Sequence, residues 1–217
     1  MKILQYLFIS LSHKILKILP YRLIRLLSVP IGTLYFLLTF RSSIKLFKRR
    51  KIFEKLKINY KPLIVKINYT RYWLETLWLT NKNFSKHITP HIEIENQEYV
   101  DKLKKQYPGL IFALPHLGNW EFAIPIGNSI KLNLLAVAEP LSNSYVLNWF
   151  KTLRESLGIE IIIGGKGQNT FELLVNKLKS GKDICLLSER SIKKSGVLQP
   201  NFLVNLLLFR KDRSHFH

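Results

Sequence analysis

Leu110-Ile111-Phe112-Ala113-Leu114-Pro115-His116-Leu117-Gly118-Asn119-Trp120-Glu121 is the stretch where the chain changes its grammar. A short apolar run closes on Pro-His, a glycine follows, and helical spacing begins near Asn119. Residues 109–114 read as a strand and residues 119–128 as a helix. The same alternation then repeats, with strands expected at 132–138, 159–163 and 183–187 and helices at 143–157 and 170–178. Strands alternating with helices at this spacing imply an α/β fold with a largely parallel sheet flanked by helices. In such sheets active sites form beyond the carboxyl ends of the strands, and His116 stands at one.

His116 and Glu121 are five residues apart. On one continuous helix that is a rotation of about 140°, so the two side chains would not meet. They meet only if His116 lies before the helix and Glu121 in its first turn, which the Pro115 and Gly118 turn allows. Glu121 then accepts the Nδ1 proton of His116 and leaves Nε2 to take a proton from an alcohol. A His-x4-Glu pair alone is a weak pattern, and its place at a strand end is what raises it.

Working outward to the N-terminus, residues 3–19 read as a helix ended by Pro20. Ser10, His13, Lys14 and Lys17 form one polar stripe, and Ile3, Leu4, Leu7, Phe8, Leu11, Ile15 and Ile18 cover the rest. That pattern suits a helix lying in a lipid interface better than a cleaved leader, because no small-x-small site follows. Residues 26–40 carry no charge but are interrupted by Pro30 and Gly32. A spanning helix needs about 20 apolar residues, so a shallow or re-entrant anchor is expected, with a single span as the alternative. Arg41, Lys45, Lys48, Arg49, Arg50, Lys51, Lys55 and Lys57 follow as a polybasic, cytoplasmic-side segment. Residues 63–82 read as a helix with Tyr69, Tyr72, Trp73, Leu77 and Trp78 as its packing stripe.

Composition agrees. The 217 residues carry 34 Lys+Arg against 14 Asp+Glu, a net charge of +20, and 47% are hydrophobic. Residues 1–66 hold 15 of the cations with one acid, Glu54, and they are also the most apolar part of the chain. Basic and greasy together point to anionic membrane lipid rather than nucleic acid, which calls for basic residues interleaved with exposed aromatics on a soluble face. The one cysteine, Cys185, excludes an internal disulfide and a Cys-rich metal site. Its apolar surroundings mark a core residue rather than a nucleophile. Gly164-Gly165-Lys166-Gly167 lacks the phosphate-loop spacing and reads as a turn.

Beyond these readings, His116-x4-Glu121 resembles the HX4(D/E) signature of glycerolipid-type acyltransferases. The longer string LPHLGNWEFA, residues 114–123, is similar to the branch that holds the lipid A late acyltransferases and the phosphatidylinositol mannoside acyltransferases. Three more blocks follow in order: Ala136-Val137-Ala138-Glu139-Pro140-Leu141; Phe150 through Arg154-Glu155-Ser156-Leu157-Gly158; and Leu186-Leu187-Ser188-Glu189-Arg190 with Ser195-Gly196-Val197. The AVAE and RESLG wording is nearest the mannoside enzymes. The resemblance implies that His116 is the base for a sugar hydroxyl and that Glu121 orients it. Glu139 and Arg154 would shape the site around donor and acceptor, and Glu189 with Arg190 would be the acidic-basic pair of the fourth block. Backbone amides at Gly118 and Asn119, helped by Arg154, are the expected donors to the oxyanion.

The resemblance further implies an O-acyltransferase that needs no cofactor beyond its acyl donor. The donor is acyl-CoA in the mannoside branch and acyl carrier protein in the lipid A branch, and the acceptor is a membrane glycolipid at the cytoplasmic face of the plasma membrane. The expected organisation is a membrane-anchoring basic region over residues 1–60, an α/β acyltransferase domain over 61–197, and an atypical end over 198–217. There the family's NFFG-like continuation is missing, as a truncation or a shifted frame would leave it. A lipid-binding relic without activity is the rival reading from a different class.

Overall fold

The computed structural model describes residues 1–40, 44, 61–82, 84–164 and 169–187. Two N-terminal helices, α1 (Lys2–Leu16) and α2 (Tyr21–Leu38), are joined by a tight turn at Pro20. Helix α3 (Pro62–Trp78) starts at a proline, which the first turn of a helix accepts because its N–H has no partner there anyway. The short helix α4 (Phe84–His87) and α5 (Gln97–Gln106) lead into β1 (Ile111–Leu114). Then come a 3-10 turn (Trp120–Phe122), α6 (Ala123–Ser129), β2 (Leu134–Ala138), α7 (Ser144–Ser156), β3 (Glu160–Ile163), α8 (Thr170–Lys179) and β4 (Asp183–Leu187).

The four strands form one parallel sheet in the order β1-β4-β2-β3. β1 pairs Ile111 with Ile184 and Leu114 with Leu187, while β2 pairs Leu134 with Asp183 and Leu135 with Glu160. All four strands therefore point the same way, and their carboxyl ends share one edge. The α/β expectation holds. Helix ends shift where tertiary contacts intervene: α3 stops at Trp78 because Asn81 turns back to donate to the carbonyls of Lys17 and Leu19.

One core cluster joins the helical layer, with Leu16, Ile24, Leu74, Leu77, Trp78, Leu79, Phe84 and Ile88 buried together. A second lies on the sheet under α6, around Ile124, Leu134, Ile159 and Ile161. A third, Val146, Phe150 and Leu153, binds α7 to Tyr6 and Ile9 of α1 and to Trp73 of α3.

Helix α2 runs unbroken through Pro30 and Gly32, contrary to the interruption expected there. Its buried positions Ile24, Ser28 and Gly32 repeat every four residues and press on α3. Gly32 is needed for that approach: a Cβ there would stand 2.6 Å from the Cα of Ile67. The glycine is a packing device between two helices and not a break. By length and composition α2 is apolar enough to cross a membrane.

The α1 polar stripe finds partners in the protein. The His13 ring is hydrogen-bonded through Nδ1 to the Leu77 carbonyl at 2.8 Å and packs edge-on against Trp149. Burial pushes this histidine below its usual pKa, with the Leu77 carbonyl opposing and Lys17 adding to the shift. Asn143, the N-cap of α7, donates to the carbonyl of Lys2 and to Gln5 Oε1, both at 2.9 Å. The middle of the polar stripe thus faces protein. Ile3, Leu4, Leu7, Phe8, Leu11, Ile15 and Ile18 face outward, Phe8 at 73% exposure. Leu26, Leu34, Leu37 and Leu38 of α2 are exposed as well. All eight basic residues of the polybasic run lie outside the described residues.

Candidate active site

β1 ends at Leu114, and a three-residue turn centred on His116 follows, closed by Leu117 N–H donating to the Pro115 carbonyl at 2.8 Å. Gly118 takes φ +62°, a left-handed conformation that glycine adopts without strain. Asn119 then caps the 3-10 turn: its Oδ1 accepts the Glu121 N–H at 3.2 Å. The expected helix at 119–128 is thus a 3-10 turn followed by α6, which puts Glu121 in a first turn after His116, as the five-residue spacing requires. Leu117, at 78% exposure, projects from the tip.

Glu121 is 2% exposed. Arg154, late in α7, donates to it twice, from Nε to Oε2 at 3.1 Å and from Nη2 to Oε1 at 2.5 Å. Tyr72 of α3 adds its hydroxyl to Oε1 at 3.3 Å. Such a two-pronged guanidinium–carboxylate pair offsets the cost of burying the acid. Burial works against the Arg154 cation, but the hydrogen bonds and charge of Glu121 more than compensate and its pKa rises. The Tyr72 hydroxyl is pushed well above its usual pKa, first by burial and then by the Glu121 charge, so it stays a neutral donor. Sequence alone made Arg154 a helper at the oxyanion; in the structure its nearest task is holding Glu121.

His116 is half-buried. Its ring meets Trp120 edge-to-face at 4.7 Å, and Trp120 stacks on Tyr72 at 4.5 Å. An aromatic ladder therefore runs from the histidine to the residue that donates to Glu121. A second buried acid stands behind it. Glu75 of α3 accepts from Asn119 Nδ2 at 3.1 Å and from the Tyr21 hydroxyl at 3.0 Å. Tyr72 and Glu75 are three residues apart, on one face of α3. Sequence reading gave Tyr72 only a packing role and passed over Glu75, whose one usable signal was a lone acid inside an aromatic helix.

Glu139 follows β2 and is exposed at the same sheet edge as His116. Glu189, Arg190 and Lys166 lie outside the described residues. Cys185 is half-buried in β4 against the second core cluster. Burial, reinforced by the charge of Asp183, pushes its thiol up to about 11, so it is not a nucleophile near neutral pH. Among the described residues no group of three or more His, Cys, Asp or Glu side chains is gathered to hold a metal ion.

The fold is an α/β one: a parallel sheet with a histidine turn at its carboxyl edge, backed by a buried Glu121 paired with Arg154. The chain belongs to the family described as bacterial lipid A biosynthesis acyltransferase, whose model matches residues 1–205. It is 31% identical over 133 residues to a phosphatidylinositol mannoside acyltransferase of Mycobacterium tuberculosis (strain CDC 1551 / Oshkosh), covering 60% of this chain and 42% of that protein. It is equally 31% identical over 134 residues to the protein of that name from Mycolicibacterium smegmatis (strain ATCC 700084 / mc(2)155), covering 60% of this chain and 43% of the other. The matched region is less than half the length of these curated relatives.

Proposed function

We propose that this protein is an O-acyltransferase that moves a fatty acyl chain from a thioester donor, acyl-CoA, to a sugar hydroxyl of a membrane glycolipid. The mannose of a phosphatidylinositol mannoside is the acceptor that the names of its relatives favour. The observation that carries the reading is the turn at the sheet's carboxyl edge, where His116 precedes a Glu121 clamped by Arg154. His116 takes the proton of the sugar hydroxyl as its oxygen attacks the thioester carbonyl carbon. The C–O bond forms, the C–S bond breaks, and the departing thiolate takes the proton from the imidazolium. Glu121 is the positioning residue that stabilises that imidazolium, and its own charge is held in place by Arg154 and Tyr72. Glu139 lies at the same edge, and roles toward donor and acceptor for Glu189 and Arg190 rest on the family resemblance of their sequence block alone.

The outward apolar side chains of α1 and α2 supply the membrane contact. With the basic run after residue 40, they set the protein against an anionic, cytoplasmic-side leaflet. A lipid A precursor acylated from acyl carrier protein is the second reading, favoured by the family's own description.

The test is acyl transfer by a membrane fraction carrying the chain, with palmitoyl-CoA and mannosylated phosphatidylinositol beside lipid A precursor with acyl carrier protein. His116→Ala should lower the rate by about 10²–10⁴-fold, the range for a lost general base. Transfer that survives His116→Ala, or its absence from folded wild-type protein with both acceptors, would refute the reading and leave the lipid-binding relic.

A further inference from the structure

We propose that Glu75 is a positioning residue that fixes the catalytic turn by dictating which way the Asn119 carboxamide points. The inference rests on the acyl-transfer reading of that turn. Asn119 has two ends and two neighbours. Its Oδ1 accepts the Glu121 N–H at 3.2 Å, while its Nδ2 donates to Glu75 Oε2 at 3.1 Å. The reverse orientation would set Nδ2 against an N–H and Oδ1 against a carboxylate, two repulsive contacts at once. An ionised carboxylate accepts only, so Glu75 admits a single orientation, the one that caps the 3-10 turn and holds Glu121 under Arg154.

Glu75 is 6% exposed and reaches no cation in the described interactions; its other oxygen is met by the Tyr21 hydroxyl at 3.0 Å. A buried acid held by two neutral donors is an expensive arrangement where a glutamine or an apolar residue would serve packing alone. What the carboxylate adds is polarity. Tyr21 opens α2, and its ring also packs on Trp78, whose Nε1 donates to the Leu19 carbonyl at 2.9 Å. The outward-facing helical hairpin is therefore linked to the His116 turn through Tyr21, Glu75 and Asn119.

The experiment compares Glu75→Gln, Asn119→Asp and the double variant in the full chain on anionic vesicles. It follows kcat, KM for palmitoyl-CoA, and hydrogen exchange of the amides at 117–123. Glu75→Gln keeps the shape but can place a donor against Asn119 Nδ2. It should lower kcat between about tenfold and a hundredfold with KM unchanged, since a small misplacement of reacting groups has that effect. Exchange at 117–123 should quicken. Asn119→Asp sets two carboxylates face to face and should lose at least as much. The double variant restores the polarity in reverse. Its introduced glutamine amide donates to the introduced aspartate, and that carboxylate still accepts from the Glu121 N–H. It should recover most of the kcat and of the protection.

Wild-type kcat and exchange in Glu75→Gln would overturn the proposal. So would a double variant no better than the poorer single. If the wild type transfers no acyl group, the acyl-transfer reading fails by itself, and the exchange arm alone decides whether Glu75 holds the turn.

Discussion

At the amino end of the sheet Asp183 is fully buried, and at the carboxyl end Glu121 is nearly so; the two acids are held in different ways. Asp183 opens β4. Its Oδ1 accepts the Leu110 N–H at 3.0 Å and its Oδ2 the Asn133 N–H at 2.8 Å, just ahead of β1 and β2. Lys104 of α5 bridges both oxygens at 2.9 and 3.0 Å. Two of its donors are therefore backbone, and it clips three strands into register. The described donors to Glu121 are all side chains, arriving from α3 and α7. Backbone donors make a rigid clip. Side-chain donors make a more adjustable setting, because each can change rotamer without moving the backbone. One sheet thus buries an acid at each edge, held mainly by backbone at one and by side chains at the other.

The comparison can be broken most forcefully at Arg154. Arg154→Met leaves Glu121 buried without its cation, a change of about 3–5 kcal/mol in stability. Denaturant unfolding should show that loss, and the remaining folded protein should be nearly inactive. An active, equally stable variant would show that the pair is ornamental.

Asp183→Asn probes the other edge. The amide can accept one backbone N–H but must turn its NH2 toward the second, an uncompensated contact of about 1–3 kcal/mol. Melting should move down, whereas kcat/KM per folded molecule should stay at the wild-type value. A selective loss of activity would mean that the two edges are not separable.

The smallest effect is expected at Glu160, which begins β3 at the amino edge and pairs with Lys177 at 2.6 Å and Lys182 at 3.0 Å. The hydrogen bond from Lys177 is the chief cause of its lowered pKa, assisted by Lys182 against a modest desolvation. A lowered carboxylate pKa means that the unfolded chain binds the proton more readily. The stabilisation is therefore complete above the ordinary glutamate value and is lost as pH falls through the lowered folded one. Because the pair is partly exposed, Glu160→Gln should remove only about 0.5 kcal/mol at neutral pH and flatten the acid limb of the stability curve by that much. Acid sensitivity unchanged in Glu160→Gln would assign it to the buried carboxylates.

Much of this was legible in the linear chain because it depends on local pattern. The strand at 183–187 falls where the apolar run places it, and the helix at 144–156 sits one residue inside its expected bounds, with Asn143 as its cap. The His116 turn and the first-turn place of Glu121 follow from Pro115, Gly118 and a five-residue spacing. What local pattern misjudged were residues whose neighbours are far along the chain. Gly32 looked like a break and is a contact surface for Ile67. His13 read only as part of a polar stripe and is bound to the Leu77 carbonyl. Arg154 was expected beside the oxyanion donors and is the partner of an acid 33 positions away.

The sequence by itself determined the alternation of strands and helices, the basic and apolar N-terminus and the place of the histidine, since periodicity, composition and turn chemistry act over a few residues. Only the tertiary structure decided which side of α1 faces outward, that Glu121 is clamped by Arg154 and Tyr72, and that Glu75 reaches Asn119. Those facts are settled by burial, because a carboxylate removed from water takes whatever donors the fold brings within about 3 Å, however distant they are in the chain.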